Sequence, residues 1–566
     1  MKKLILLFLI SLISCQPAVK GVSEKKDKNT GLIANKAMVV SAREEASRIG
    51  LSILRKGGNA FDAMIATEMA LAVAYPFAGN LGGGGFMVYR KADGSTGSLD
   101  YREKAPLAAS KRMYQDAEGN VISEKSKIGG LAVGVPGTVA GIFAVHEKFG
   151  SLPMPEILKP VIALAKRGFV VTEHQAENLQ KYRELFLKVN NDSILFSKAY
   201  MAGDTIHNLE LANTLQQIAE NGRKEFYNGS IGRELVNYLQ AHGGIMTMED
   251  LAEYRAQWRD PISVKYKDLK LISMPPPSSG GIVLGQILKM VEPFPLKEFG
   301  HNSEKTIQVL TEAERRAYAD RSYYLGDPDF VNIPTDTLLS DSYLKNRMDK
   351  FSFTKATPSS EVEHGEIAGY ESMETTHYSI VDQYGNAIAA TTTLNGAYGS
   401  KLFVPELGFF LNNEMDDFSA KPGFPNMFGL IGAEANSIAP GKKMLSSMTP
   451  TIVEKNDKLW MVLGSPGGST IITSVLQTIL NVKEFGVTMQ EAVDAPRFHH
   501  QWLPDEILFE PEGFDEKLLN SLQEKGYNIN VGESTVIGKV DAILVLPDGR
   551  MEGGADRRGD DTAVGF

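Results

Sequence analysis

Two β-branched runs joined by a short turn constrain the C-terminal third of this chain more than any other feature. The first is Thr375-Thr-His-Tyr-Ser-Ile-Val-Asp382 and the second is Asn386-Ala-Ile-Ala-Ala-Thr-Thr-Thr393, with Gln383-Tyr-Gly385 between them. β-Branched runs flanking an Asp/Gly/Asn turn predict an antiparallel hairpin. A turn centred on Tyr384 pairs the arms symmetrically and sets Thr375 opposite Thr393. Asn395 follows two residues later on the Thr393 face, because side chains alternate along a strand. Facing threonines also stabilise a sheet without doing chemistry, so the hairpin alone does not call for catalysis.

A second segment adds a chemical reason. Leu459–Leu463 reads as a strand, Gly464-Ser-Pro-Gly-Gly-Ser-Thr470 as a tight turn, and Ile471–Asn481 as a helix. Such a turn presents unpaired backbone N–H groups at the positive end of a helix, a natural site for an anion or a developing oxyanion. No Lys-Ser/Thr follows the glycines, so the segment is not a phosphate-binding P-loop.

The remainder predicts a layered α/β body. Ser41-Ala-Arg-Glu44 has capping-box spacing, and Ala46, Ile49, Ile53 and Leu54 share one helical face. Gly57-Gly58 ends that helix, and Phe61–Val73 reads as a second, buried one. Leu81-Gly-Gly-Gly-Gly-Phe86 leads into a strand at Met87–Arg90, and residues 151–270 read as amphipathic helices. Pro275-Pro-Pro-Ser-Ser-Gly-Gly281 is a loop that opens another helix. The formal net charge of −10 over 566 residues argues against a nucleic-acid partner, whose footprint is a basic patch.

At the N-terminus, Lys2 and Lys3 precede an apolar run, Leu4–Ile13. The run is shorter than the ~20 residues of a spanning helix and has the layout of a secretory signal. The chain's single cysteine follows in Leu12-Ile-Ser-Cys15, which resembles the lipobox of bacterial lipoproteins. Cleavage before Cys15 and lipidation of its thiol are expected, with export to the periplasm or cell surface. One thiol forms no intrachain disulfide. Residues 1–14 read as signal peptide and 15–37 as a flexible tether, with the folded body starting near Met38.

Taken together, Thr375-Thr-His-Tyr-Ser379, Leu411-Asn-Asn-Glu-Met-Asp-Asp-Phe418, Leu445-Ser-Ser-Met-Thr-Pro450 and Gly464-Ser-Pro-Gly-Gly468 resemble successive motifs of the γ-glutamyltransferases (glutathione hydrolases). Leu81–Phe86 and Asp100-Tyr-Arg-Glu103 resemble that family's large-subunit motifs, and the likeness runs from about Met38 to Phe566. The resemblance implies an N-terminal-nucleophile hydrolase fold, a four-layered αββα sandwich. It implies a precursor cut between Glu374 and Thr375 into a large subunit (38–374) and a small catalytic subunit (375–566). It implies γ-glutamyl donors such as glutathione, water or amino acids and peptides as acceptors, a heterodimer, and no cofactor or metal.

By the same resemblance, Thr375 is the nucleophile and Thr393 supports it and the processing step. The N–H groups of Gly467 and Gly468 stabilise the oxyanion. Arg102, Ser446 and Ser447 clamp the donor's α-carboxylate, and Asp417, Asn395 and Glu414 its ammonium group. Glu414 departs from the glutamine common among bacterial members, and a carboxylate still suits an ammonium there.

The chemistry is coherent. A threonine hydroxyl needs a base, and the Gly-x-Ser-x-Gly elbow is absent. An α-amino group titrates near ~7.7–8.0, suited to general-base work near neutral pH, and cleavage before Thr375 creates one beside its own hydroxyl. Lys421–Gly432, rich in Pro and Gly, resembles a lid loop with Phe428 as its aromatic residue. His499-His500 lacks further ligands at metal-site spacing and reads as structural. Two other functions compete. One is a cephalosporin or glutaryl acylase on this scaffold, which the Arg102/Asp417 pair disfavours because a glutaryl group carries no ammonium. The other is a catalytically silent surface lipoprotein, which has no reason to cut itself.

Overall fold

The structure is a computed structural model that describes residues 29–362, 375–532 and 536–566. The signal segment, Cys15 and Glu374 lie outside the described residues.

Fourteen strands form two seven-stranded sheets. In chain order they are β1 (Leu32–Ala34), β2 (Met38–Ser41), β3 (Gly84–Arg90), β4 (Thr96–Tyr101), β5 (Gln257–Arg259), β6 (Ile262–Tyr266), β7 (Leu269–Ser273), β8 (Thr376–Val381), β9 (Ala387–Thr393), β10 (Thr451–Lys455), β11 (Lys458–Gly464), β12 (Asp541–Val545), β13 (Met551–Ala555) and β14 (Thr562–Gly565). One sheet runs β14-β2-β8-β9-β3-β4-β5 and the other β1-β13-β12-β11-β10-β7-β6. Neighbouring strands pair antiparallel throughout both sheets.

Side-chain alternation sorts these strands into layers. Met38, Val40, Phe86, Val88, Ala387 and Ala389 of the first sheet meet Ile272, Ile452, Val462 and Ile543 of the second in one core cluster. The intervening residues Val39, Met87, Tyr89, Ile388 and Ala390 point the other way. They pack under helices α1 (Glu44–Arg55), α2 (Ala60–Ala74), α3 (Met154–Arg167) and α4 (Leu209–Asn221). Leu271, Val453, Met461 and Leu463 pack likewise under α5 (Gly280–Val291), α6 (Glu304–Tyr324) and α7 (Ile471–Phe485). Helices, sheet, sheet, helices is the four-layered αββα sandwich the resemblance implies.

Two local expectations need correction. The folded body starts before Met38, because Leu32–Ala34 pairs with Met551–Gly553 and so is strand, not tether. Ser41 does not cap α1: its hydroxyl donates to the Arg43 carbonyl, and the residue before the helix, Arg43, makes no side-chain cap. The capping box forms at α2 instead, where Asn59 accepts from Phe61 and Asp62 and the Asp62 carboxylate accepts from the Asn59 N–H.

Candidate active site

The hairpin has the expected register. Thr376 pairs with Thr392, His377 with Thr391 and Val381 with Ala387, symmetric about Tyr384. One step further in that register Thr375 faces Thr393. Odd-numbered positions of both arms face the gap between the sheets, as Val381, Ala387 and Ala389 show, so Thr375 opens toward that gap. It is 5% exposed. The Thr393 hydroxyl accepts from the Asn395 N–H at 2.7 Å, and Asn395 takes φ of 71° to leave the strand.

A small cavity here is lined by Thr375, Thr393, Asn395, Arg102, Glu414, Asp417, Ser446, Ser447 and Gly468. Nine residues anticipated from five separate sequence segments thus share one wall. Gly467 sits behind Gly468 rather than on the cavity wall: its carbonyl accepts from the Thr470 N–H at 2.9 Å and the Thr470 hydroxyl at 2.8 Å. Gly467 (φ 133°) and Gly468 (φ 54°) occupy the region that disfavours side chains. A Cβ on Gly468 would also lie 2.5 Å from the Phe428 ring.

The charged groups are arranged differently from the two separate clusters expected. Arg102 bonds both Glu414 and Asp417, so the cation meant for a carboxylate and the anions meant for an ammonium pair with each other. Glu103, a third buried carboxylate, lies 3.7 Å from Arg102. Burial raises the proton affinity of all three acids, Glu103 to about 7, while Arg102 opposes the rise. Burial disfavours the Arg102 cation, but Glu414, Asp417 and Glu103 outweigh that and hold it charged.

The histidine nearest to Thr375 in sequence among the described residues is committed elsewhere. His377, two residues away, is buried, its pKa pushed down to about 3 by desolvation. Its Nδ1 faces the Thr391 hydroxyl at 2.8 Å and its Nε2 the Ser379 hydroxyl at 3.1 Å. His499 lies between Thr473 at 2.8 Å and Gln501 at 2.9 Å, a buried ring in a polar network.

Phe428 and Leu430 of the Lys421–Gly432 loop close one side. The Asn426 carboxamide donates to Asp417 Oδ1 at 3.0 Å, and its oxygen accepts from the Phe428 and Leu430 N–H groups. The Met427 N–H donates to Asp416 at 2.8 Å, and Gln501 donates to the Phe428 carbonyl at 3.2 Å.

Sequence reading missed Arg321, which lines the same cavity from the last turn of α6. Nothing in α6 marked it, since the helix carries Arg315 and Arg316 as well and its residues from Thr306 to Ser322 are all buried.

A family model described as gamma-glutamyltranspeptidase matches residues 46–566. The chain belongs to the γ-glutamyltranspeptidase family. It is 47% identical to the glutathione hydrolase proenzyme of Escherichia coli over 94% of this chain and 92% of that protein. Among solved structures, it superposes on cephalosporin acylase from Bacillus halodurans with a TM-score of 0.82 at 25% identity, covering 98% of this chain and 99% of that one. It resembles Helicobacter pylori γ-glutamyltranspeptidase at 42% identity and a TM-score of 0.56, covering 62% of this chain and 99% of that one. Identity is higher to the glutathione hydrolase and the γ-glutamyltranspeptidase than to the acylase.

Proposed function

We propose that this γ-glutamyltranspeptidase-family enzyme cuts itself before Thr375 and then cleaves γ-glutamyl amides, glutathione among them, passing the acyl group to water, amino acids or peptides. The observation that carries this reading is the shared cavity of Thr375 with the buried Arg102–Glu414–Asp417 cluster.

In the precursor the Thr375 hydroxyl attacks the preceding carbonyl, and water opens the resulting ester. The freed α-amino group then takes the proton from the same hydroxyl during donor attack. His377, held neutral and occupied by Thr391 and Ser379, leaves that role to the amine. The carbonyl oxygen's developing charge is met by N–H groups of the Gly467–Gly468 turn, where loss of one donor costs about 2.7–4 kcal/mol. A γ-glutamyl group is zwitterionic at its α-carbon. Its ammonium replaces Arg102 on Glu414 and Asp417 while its carboxylate takes the guanidinium, so charge in the pocket is conserved through binding. A glutaryl donor offers only half of that exchange, which favours the γ-glutamyl reading over the acylase one.

The lipobox-like Leu12-Ile-Ser-Cys15 and the apolar run before it support export and lipid anchoring at Cys15. Mass measurement of the mature N-terminus checks it, an unmodified Cys15 counting against anchoring. The test of the main reading is intact mass under denaturing conditions with a γ-glutamyl-anilide assay. Wild type yields two chains, the smaller beginning at Thr375. Thr375→Ala yields one uncut, inactive chain. A cleaved, active Thr375→Ala protein rules the mechanism out.

A further inference from the structure

Three arginines of α6 are buried, and two are matched by acids: Arg315 bonds Asp505 and Arg316 bonds Glu312. Arg321 is not. It is 3% exposed, lines the catalytic cavity, and forms no ion pair with a carboxylate among the described residues. Its Nε donates to the Ser279 hydroxyl at 3.0 Å and its Nη2 to the Ser447 hydroxyl at 3.1 Å. Burial pulls its pKa down, to about 10, which leaves it charged at neutral pH. A buried cation whose side-chain hydrogen bonds go only to hydroxyls is costly; Asp417 acts on it through space and offsets part of that cost, and the remaining field favours an anion at that wall.

The bonding also fixes what the serines can do. A hydroxyl has one proton and two lone pairs. Ser447 Oγ accepts from Arg321, which directs its own proton elsewhere, and Ser447 lines the cavity. Ser279 accepts from Arg321 and passes its proton to the Ser446 carbonyl at 2.7 Å, while the Ser279 N–H reaches the same carbonyl at 2.8 Å. Ser446 Oγ in turn accepts the Met448 N–H at 3.1 Å. One guanidinium thereby braces both serines of the Ser446–Ser447 pair.

We infer that Arg321 is the positioning residue of the carboxylate side of the donor pocket: it commits the Ser447 hydroxyl to donate toward the donor's α-carboxylate and holds a positive charge behind it. The inference rests on the γ-glutamyl reading. It assigns the two cations different duties: Arg102 exchanges partners as the zwitterion enters, and Arg321 keeps its partners throughout.

The test compares two donors on the mature wild-type enzyme, Arg321→Met and Arg321→Lys. One is γ-glutamyl-p-nitroanilide. The other is 4-aminobutyryl-p-nitroanilide, the same molecule with the α-carboxylate replaced by hydrogen. With γ-glutamyl-p-nitroanilide, Arg321→Met loses about 10- to 100-fold in kcat/KM, chiefly through KM, as expected for a hydrogen bond to a charged group. With the carboxylate-free donor it stays within about twofold of wild type, and Arg321→Lys falls between. A structural role predicts equal losses on both donors, and that outcome overturns the inference, as does no loss on either. Should Arg321→Met fail to cleave itself, Arg321→Lys carries the same comparison. A wild-type enzyme that does not prefer the γ-glutamyl donor would instead sink the function proposed above, leaving Arg321 without a substrate to position.

Discussion

Tyr378, three residues beyond Thr375, points away from the gap between the sheets and donates to Glu68 of α2 at 2.6 Å. Desolvation lifts Glu68 from 4.5 to about 7, with the bond from Tyr378 resisting the rise. The sign follows from linkage. A raised acid favours the protonated folded state, so its contribution is complete below pH 4.5 and is lost as pH rises through about 7. Tyr378 and Tyr101 face it, and both are held protonated by burial. Glu68→Gln keeps the shape and the acceptor without the charge. Relative to wild type it should gain about 3 kcal/mol of stability between acidic and mildly alkaline pH. Chemical denaturation of both proteins across that range checks it, and parallel curves would clear Glu68 of any role. At this scale much was legible in the sequence. Thr375, Thr393, Arg102 and Asp417 each stood in a local motif, and a turn centred on Tyr384 predicted the register that the hairpin has. Glu68 and Arg321 were not legible, because each lies on a helix whose face is decided by packing rather than by its neighbours in sequence.

Among the elements, one amide ties the Lys421–Gly432 loop to the pocket carboxylate Asp417. Asn426 joins the Lys421–Gly432 loop to the pocket by donating to Asp417 and accepting from Phe428 and Leu430. The loop therefore reports on the carboxylate proposed to hold the donor's ammonium. Asn426→Ala should loosen the loop and free Asp417 to reorient, lowering kcat/KM by about 10-fold with self-cleavage intact. Faster limited proteolysis within residues 421–432 should accompany the loss. A loop as protected as in wild type would place the latch elsewhere, at Asp416 or Gln501. A lid here was implied by resemblance in the sequence, and the loop's Pro and Gly content fits one. Its attachment did not show there, since the partners are brought by the Glu414–Asp417 turn and by Gln501.

Across the whole molecule, the proposed cut before Thr375 divides strands that remain neighbours. In one sheet β2 lies between β14 and β8, and β9 lies against β3; in the other, β13 meets β1 and β10 meets β7. Both sheets therefore mix segments from either side of the cut. The mature chains should co-elute in size-exclusion chromatography at neutral pH and separate only in denaturant, with no disulfide available to hold them. Separation in native buffer would contradict the described pairing. Local patterns identified most of these strands but not their partners. Leu32–Ala34 read as tether because its partner, Met551–Gly553, lies at the other end of the sequence.

That interleaving also sets a timetable for synthesis. As the chain emerges from the ribosome, β2 is among the first strands made, and one of its two neighbours, β14, is the last. Neither sheet is complete until β13 and β14 have been made, so early segments wait with unpaired edges, a state open to misassociation. A stall or truncation before β13 would leave two unfinished sheets rather than a shortened protein.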